Sequence, residues 1–108
     1  MGDRPGDPRL PSISRIECLV LDQLRDGEKY GLELVEASRG RLKRGTVYVT
    51  LGRMERKGFV ESRQEARPPG AIGLPRRLYT ATAYGLKVLE AYQLLREALA
   101  LRPSEARG

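Results

Sequence analysis

The sequence contains no histidine and no tryptophan, and cysteine occurs once, as Cys18, among 108 residues. Histidine is the usual acid–base catalyst near neutral pH and, with cysteine, the commonest ligand of zinc. The chain also lacks clustered carboxylates and the phosphate-binding patterns G-x-x-x-x-G-K-S/T and G-x-G-x-x-G. These absences exclude the usual metal sites and histidine-based catalysis. The sequence therefore predicts a protein that is not an enzyme and that has no cofactor or metal.

Long apolar runs are absent as well. No stretch approaches the ~20 apolar residues that span a bilayer, and the polar opening MGDRPGDPRLP offers no apolar segment for a signal peptide. A single cysteine cannot form a disulfide within the chain, which fits a reducing compartment. The sequence predicts a cytoplasmic protein without a membrane segment, and its length allows one compact domain.

Basic residues are concentrated in the middle of the chain. The net charge is +6, but the stretch from Arg39 to Arg77 holds 11 of the 20 basic residues and only three acidic ones, a local charge of 11 − 3 = +8. Such a field favours a polyanionic partner, either nucleic acid or an anionic membrane surface. A solvated basic face that serves only solubility is the alternative, and charge by itself does not separate the two.

The spacing of apolar residues predicts a first helix that begins near Ser12, after a flexible arm at 1–11. Ser14 and Glu17 have the S-x-x-E spacing of a capping box. Asp26 and Gly27 form a turn signal that ends the helix. The three-to-four spacing that predicts it comes from Ile13, Ile16, Val20 and Leu24.

Two further helices are predicted at Gly31–Arg39 and Thr46–Lys57, the first followed by Gly40 in a left-handed C-terminal position. In the Thr46–Lys57 helix, Val47, Leu51 and Met54 share one apolar face, with Tyr48 beside it. The opposite arc is predicted to hold Thr46, Val49, Thr50, Arg53, Arg56 and Lys57.

Strands are predicted at Phe59–Arg63 and Arg77–Thr80, joined by a mobile loop at 64–76 that contains three prolines and two glycines. A last helix is capped by Thr82 and reaches Leu101, and the tail at 102–108 is expected to fray. The fold class is mainly α with a small β-hairpin, in the order H-H-H-E-E-H. We expect a winged helix-turn-helix domain at 12–81 followed by a dimerisation helix at 82–101.

A helix, a short basic connection and a second helix with a basic outer face form the pattern of a helix-turn-helix, and the hairpin after it is typical of a wing. Base edges would be contacted by Thr46, Thr50 and Arg53, flanked by Tyr48 and Val49. Phosphates would be bound by Lys43, Arg44, Arg56 and Lys57. The wing would follow the DNA backbone, or enter the minor groove, through Arg63, Arg67, Arg76 and Arg77.

Three blocks of sequence, YGLELVEASRG, KRGTVYVTLGRMERKGFV and RRLYTATAYGLKVL, resemble the PadR family of winged-helix regulators. That family typically has Tyr-Gly at the start of its second helix, Gly-Thr-Leu-Tyr-Pro in its recognition helix and Tyr-x-x-Thr-x-x-Gly before its last helix. The resemblance covers roughly Ile13 to Leu95. Val49 departs from it where proline is frequent, and Ala81 departs where leucine is common.

The last helix carries more apolar surface than a small three-helix core can cover, which predicts a two-fold homodimer. Its arc consists of Tyr84, Val88, Ala91, Tyr92, Leu95, Ala98 and Leu99. The first helix is expected to contribute Ile13, Ile16 and Val20. The PadR resemblance implies the same dimer and, in some members, an aromatic or lipophilic effector near Tyr84 and Tyr92. Packing of the arc within its own domain is the alternative.

The sequence thus predicts a dimeric transcriptional regulator that binds double-stranded DNA at a pseudo-palindromic operator and acts as a repressor. Two alternatives remain open. One is an architectural DNA-binding protein with little sequence preference. The other is a winged-helix interaction module that binds RNA or an acidic protein.

Overall fold

The computed structural model describes residues 10–73 and 75–101, so most of the predicted arm at 1–11 and the tail at 102–108 lie outside the described residues. The elements in chain order are α1 (Arg15–Gln23), a 3₁₀ turn (Leu24–Asp26), β1 (Lys29–Tyr30), α2 (Gly31–Ala37), α3 (Val47–Arg56), β2 (Val60–Gln64), β3 (Arg77–Ala81) and α4 (Ala83–Ala100).

Side-chain caps begin the first and last helices where the sequence predicts them. The Glu17 amide donates to Ser14 Oγ at 3.1 Å, and the Ser14 amide donates to Glu17 Oε1 at 2.8 Å, which completes the capping box. At the start of α4, the Gly85 amide donates to Thr82 Oγ1 at 2.9 Å. Both caps satisfy backbone donors that have no partner within the helix. Helix α4 begins directly after Thr82, as predicted, whereas α1 begins at Arg15, three residues after the predicted start near Ser12.

The sheet has three strands rather than the two predicted. Strand β1 pairs antiparallel with β3, with Lys29 opposite Tyr79 and Tyr30 opposite Leu78, and the sheet order is β1-β3-β2. A two-residue strand is too short to produce a visible alternation of apolar and polar residues, so sequence patterning misses it. Because β1 leads directly into α2, it joins the base of the hairpin to the helix-turn-helix.

The core lies between the three-helix unit and the sheet and is mainly aliphatic. Its largest fully buried members are Phe59, Leu21, Leu34, Leu42, Leu51, Met54 and Leu89. Val20, predicted at a dimer interface, is instead fully buried in this core. That prediction is wrong because Val20 lies on the face of α1 that packs into its own domain. Ile13, Ile16 and Val88 are partly buried against the same core.

Close backbone packing explains the last glycine of the PadR-like motif. A Cβ on Gly85 would collide with the carbonyl oxygen of Phe59 and lie 3.0 Å from the Phe59 Cα. Glycine therefore allows the first turn of α4 to rest on the segment that joins α3 to β2. This contact sets where α4 leaves the winged-helix unit.

Candidate nucleic-acid interface

The exposed face of α3 differs from the predicted one. Thr50, predicted to contact base edges, is only 5% exposed and belongs to the buried side of the helix. Four residues advance a helix by about 40° beyond a full turn, so Thr50 lies beside the buried Met54. The exposed residues of α3 are Tyr48, Val49, Glu55 and Arg56, with the partly buried Gly52 between them. The prediction for Thr50 is wrong because the buried face of α3 is wider than the three apolar residues from which it was predicted.

A buried carboxylate on α1 binds two of the basic residues on α3. Glu17 is fully buried, and its Oε2 accepts hydrogen bonds from Arg53 Nε and Lys57 Nζ at 3.0 Å each. Lys57 Nζ also donates to Glu17 Oε1 and to the Ser12 carbonyl oxygen, again at 3.0 Å. A Lys ammonium has three protons, and these three acceptors use all of them.

The protonation of Glu17 follows from the same contacts. Burial by itself raises the pKa of the Glu17 carboxyl, but the Ser14 amide, the Lys57 ammonium and the Arg53 guanidinium together hold it below its ordinary value. Glu17 is therefore ionised at neutral pH. The charge of Lys57, and part of that of Arg53, is compensated within the chain before any ligand binds.

The connection between α2 and α3 is organised around a buried serine. Ser38 Oγ donates to the Val35 carbonyl oxygen at 2.7 Å and accepts from the Leu42 amide at 2.9 Å, and both Ser38 and Leu42 are buried. These contacts fold residues 38–42 into a tight turn, with four cationic side chains on its outside and just after it. They are Arg39, Arg41, Lys43 and Arg44, all exposed. None of the four forms an ion pair with a described residue.

A tyrosine of α3 packs closely on the start of α2. An ideal Cβ built on Gly31 would lie 2.7 Å from Cε1 of Tyr48, which is closer than real Cβ atoms approach. The Tyr48 ring therefore occupies the space that a side chain at position 31 would fill. This contact and the Glu17 cluster hold the two flanks of α3, so the helix presents one defined face.

The wing is the β2–β3 hairpin, and its base is tied to β1. Tyr30 Oη donates to Glu65 Oε1, while the Arg76 guanidinium lies 4.4 Å from the centre of the Tyr30 ring and its Nε 3.6 Å from Glu65 Oε2. Arg63 forms a bidentate pair with Glu28, with its Nε 3.1 Å from Oε2. Two of the four predicted wing arginines thus have carboxylate partners within the chain.

The other two wing arginines have neutral partners. Arg67 donates to the carbonyl oxygens of Ile72 and Gly73, which draws the loop back on itself. Arg77 Nε donates to Ser62 Oγ at 3.2 Å across the hairpin. Neither of the two forms an ion pair with a described residue, so each places a positive charge without a carboxylate partner on the wing surface. The mobility predicted for residues 64–76 stays a prediction.

A second surface lies on α4. An apolar groove of about 360 Å³ runs along this helix, and both tyrosines named for an effector line it. Its walls are Leu10, Pro11, Ile13, Tyr84, Lys87, Val88, Ala91, Tyr92 and Leu95. Beyond it, the last two turns of α4 are exposed on all sides, including Leu94 and Leu99, and so is Leu101, which follows the helix.

Other kinds of site are not found in the part of the chain that the structure describes. Across residues 10–73 and 75–101, no three histidine, cysteine or acidic side chains come together where a metal ion could be held. Within the same ranges, no helix is both long enough and apolar enough to cross a membrane. The lone Cys18 is half-buried, and burial together with nearby Glu17 raises the pKa of its thiol despite Arg96.

The chain is a winged helix-turn-helix protein. Three helices pack together, the third of them has an exposed face, and the short sheet ends in a basic hairpin. The comparisons with known proteins agree. A family model described as the transcriptional regulator PadR-like family matches residues 20–91. The chain belongs to this family, as its motifs predict. No curated protein sequence matches the chain.

Solved structures of the family superpose on most of the chain. A PadR family transcription regulator from Clostridium difficile is 29% identical with a TM-score of 0.67, covering 80% of this chain and 91% of its own. One from Eggerthella lenta is 31% identical with a TM-score of 0.65, covering 78% and 73%. Bacillus subtilis PadR, solved in complex with operator DNA, is 21% identical with a TM-score of 0.64, covering 73% and 46%. This last likeness concerns the fold alone.

Proposed function

We propose that this chain is a dimeric repressor that binds double-stranded DNA sequence-specifically at a pseudo-palindromic operator. The observation that carries the proposal is the outward face of α3. Val49 is 66% exposed there, and Arg56 is exposed without an ion pair to any described residue. An exposed apolar side chain beside an unpaired guanidinium suits base edges in the major groove. The acidic residue of this face, Glu55, accepts a hydrogen bond from Ser62 Oγ at 2.7 Å.

The surrounding residues divide into two roles. Val49 and Thr46 suit apolar or hydrogen-bonding contacts to bases, and Arg56 can bind guanine at two points. Lys43, Arg44 and their neighbours in the α2–α3 turn have uncompensated charge and suit phosphates. In the wing, Arg67 and Arg77 join this set.

Four other basic residues that were predicted to contact DNA have carboxylate partners within the chain. Arg53 and Lys57 are held by Glu17, Arg63 by Glu28, and Arg76 by Glu65. We propose that these four residues position α3 and the wing, and that they contribute little net charge to DNA binding. A guanidinium already paired with a carboxylate releases fewer counterions when it approaches a phosphate.

The dimer is proposed to form through α4 and the groove beside it. Leu94, Leu95 and Leu99 are between 52% and 75% exposed on a helix that extends beyond its own core. A second copy covers this apolar surface and places two α3 helices about one DNA turn apart. An aromatic or lipophilic effector of the kind the family resemblance implies would occupy the same groove, against Tyr84 and Tyr92. It would therefore act on the dimer.

DNA binding is tested by fluorescence anisotropy on two duplexes. One is selected by this chain from a randomised library, and the other is a random duplex of matched composition. The proposal predicts at least ~10³-fold tighter binding to the selected duplex at physiological salt. Equal, salt-sensitive binding to both would favour an architectural protein instead. Absence of binding at low salt would leave the interaction module that binds RNA or an acidic protein.

A further inference from the structure

One glycine lies at the centre of the exposed face of α3. Gly52 is the sixth of the ten residues of this helix, and its exposed neighbours one turn away are Tyr48 and Val49 before it and Glu55 and Arg56 after it. A Cβ built there would have one neighbour within 4 Å, the flexible Nη1 of Arg56 at 3.7 Å, which is an ordinary contact. The fold therefore has room for a side chain at position 52.

The usual reasons for glycine do not apply to Gly52. Gly31 and Gly85 are required by close contacts with Tyr48 and Phe59, but Gly52 has no such contact. Its backbone is helical, and the glycines with positive φ among the described residues are Gly27, Gly40, Gly58, Gly70 and Gly73. Glycine inside a helix destabilises it relative to alanine. The contacts within the chain thus favour alanine at this position.

We infer that Gly52 is a specificity-determining position, kept open so that the edge of a base pair can approach the backbone of α3. This inference rests on the proposed DNA-binding function and deepens it. An α-helix with its side chains is about 10–12 Å across, and the major groove is about 12 Å wide, so the fit leaves little spare room. A missing side chain at the centre of the contact face allows deeper insertion, with Val49 and Arg56 on either side of the gap.

The orientation of α3 supports this role. Arg53 and Lys57 are bound to Glu17 on one flank, and Tyr48 packs on Gly31 on the other. With both flanks held, α3 cannot rotate to turn a larger residue at position 52 away from the groove. An added methyl group therefore has to be accommodated by the DNA or by a shift of the whole domain.

The test uses the full chain and its Gly52→Ala and Gly52→Gln variants. Binding is measured to a duplex selected by the unaltered chain from a randomised library and to a random duplex. We expect Gly52→Ala to bind the selected duplex about 5- to 100-fold more weakly, the usual range for one lost base contact, and Gly52→Gln more weakly still. Affinity for the random duplex should change less than two-fold. The melting temperature of Gly52→Ala should rise.

The inference predicts opposite changes for Gly52→Ala, a weaker affinity for the selected duplex and a higher melting temperature. Unchanged affinity of Gly52→Ala for the selected duplex would overturn the inference while leaving the DNA-binding proposal intact. A lower melting temperature would also overturn it, because the glycine would then serve the fold. Failure of the unaltered chain to select any duplex would overturn both the inference and the proposed function.

Discussion

Lys57 Nζ, at the C-terminal end of α3, lies 3.0 Å from each carboxylate oxygen of Glu17 on α1. Glu17 also caps its own helix through Ser14, so one buried side chain starts α1 and anchors the recognition helix. The orientation of the surface proposed to contact DNA therefore depends on a residue with no access to solvent.

Substituting Glu17→Gln should lower the free energy of unfolding by about 1–3 kcal/mol, because two cations lose a buried charged acceptor. The loss of stability is expected to be smaller than for a fully buried ion pair, because Arg53 and Lys57 are partly exposed. Urea denaturation measures it. Glu36→Gln on the exposed side of α2 is the matched control and should stay within about 0.5 kcal/mol. Equal effects of the two substitutions would contradict the role of Glu17.

The same pair makes stability depend on pH. The pKa of Glu17 is lowered in the folded chain, so its stabilising contribution is complete above the ordinary glutamate pKa of about 4.3 and is lost as pH falls through the lowered value. Urea denaturation between pH 3 and pH 7 should show the difference between the unaltered chain and Glu17→Gln shrinking toward acid. A difference independent of pH would mean that the carboxylate charge is not involved.

Two lysines of the basic region should behave differently toward DNA. Lys43 is exposed without an ion pair to a described residue, whereas the three protons of Lys57 bind Glu17 and Ser12. Lys43→Gln should reduce the slope of log affinity against log salt on a random duplex by about 0.9, the value for one phosphate contact. Lys57→Gln, once circular dichroism shows that it is folded, should leave the slope nearly unchanged. Similar changes in both slopes would show that Lys57 also contacts phosphate.

The contact between Gly31 and Tyr48 can be tested by a double-mutant cycle. Gly31→Ala places a Cβ 2.7 Å from the Tyr48 ring and should destabilise the fold by about 1–3 kcal/mol through overpacking. In a Tyr48→Ala background the same substitution should cost much less, because the obstructing ring is gone. Thermal or urea denaturation of the four proteins gives the coupling energy. A coupling energy near zero would mean that the destabilisation by Gly31→Ala arises in the α2 backbone and not from the contact with the Tyr48 ring.

The proposed dimer predicts sensitivity at α4. Leu95→Asp puts a charge into the apolar groove and should shift the chain toward a monomer in light-scattering measurements, because an unpaired charge is costly to bury at an interface. Leu32→Asp is the control, since Leu32 is also exposed but lies on α2, outside that groove. If Leu95→Asp keeps the mass of the unaltered chain, α4 is not the interface.

Much of the fold follows from local signals in the chain. The caps at Ser14 and Thr82 are found where the motifs predict them, because capping uses residues three apart and needs no distant partner. The PadR-like motifs likewise identified the family, and the structure gives two of their glycines a steric reason at positions 31 and 85. The two-residue β1 was missed, since its pairing with β3 joins residues some 50 positions apart.

The sequence by itself determined the helices, the hairpin, the basic character of the middle segment and the family, because periodicity, caps and charge are properties of short stretches. Tertiary structure alone decided which basic residues are left without a carboxylate partner and so remain available to a ligand. The carboxylates of Glu17, Glu28 and Glu65 reach Lys57, Arg63 and Arg76 only after folding. It also decided that Thr50 and Val20 are buried and that Gly52 faces outward. Those outcomes depend on how neighbouring elements pack around each helix, which its own periodicity does not contain.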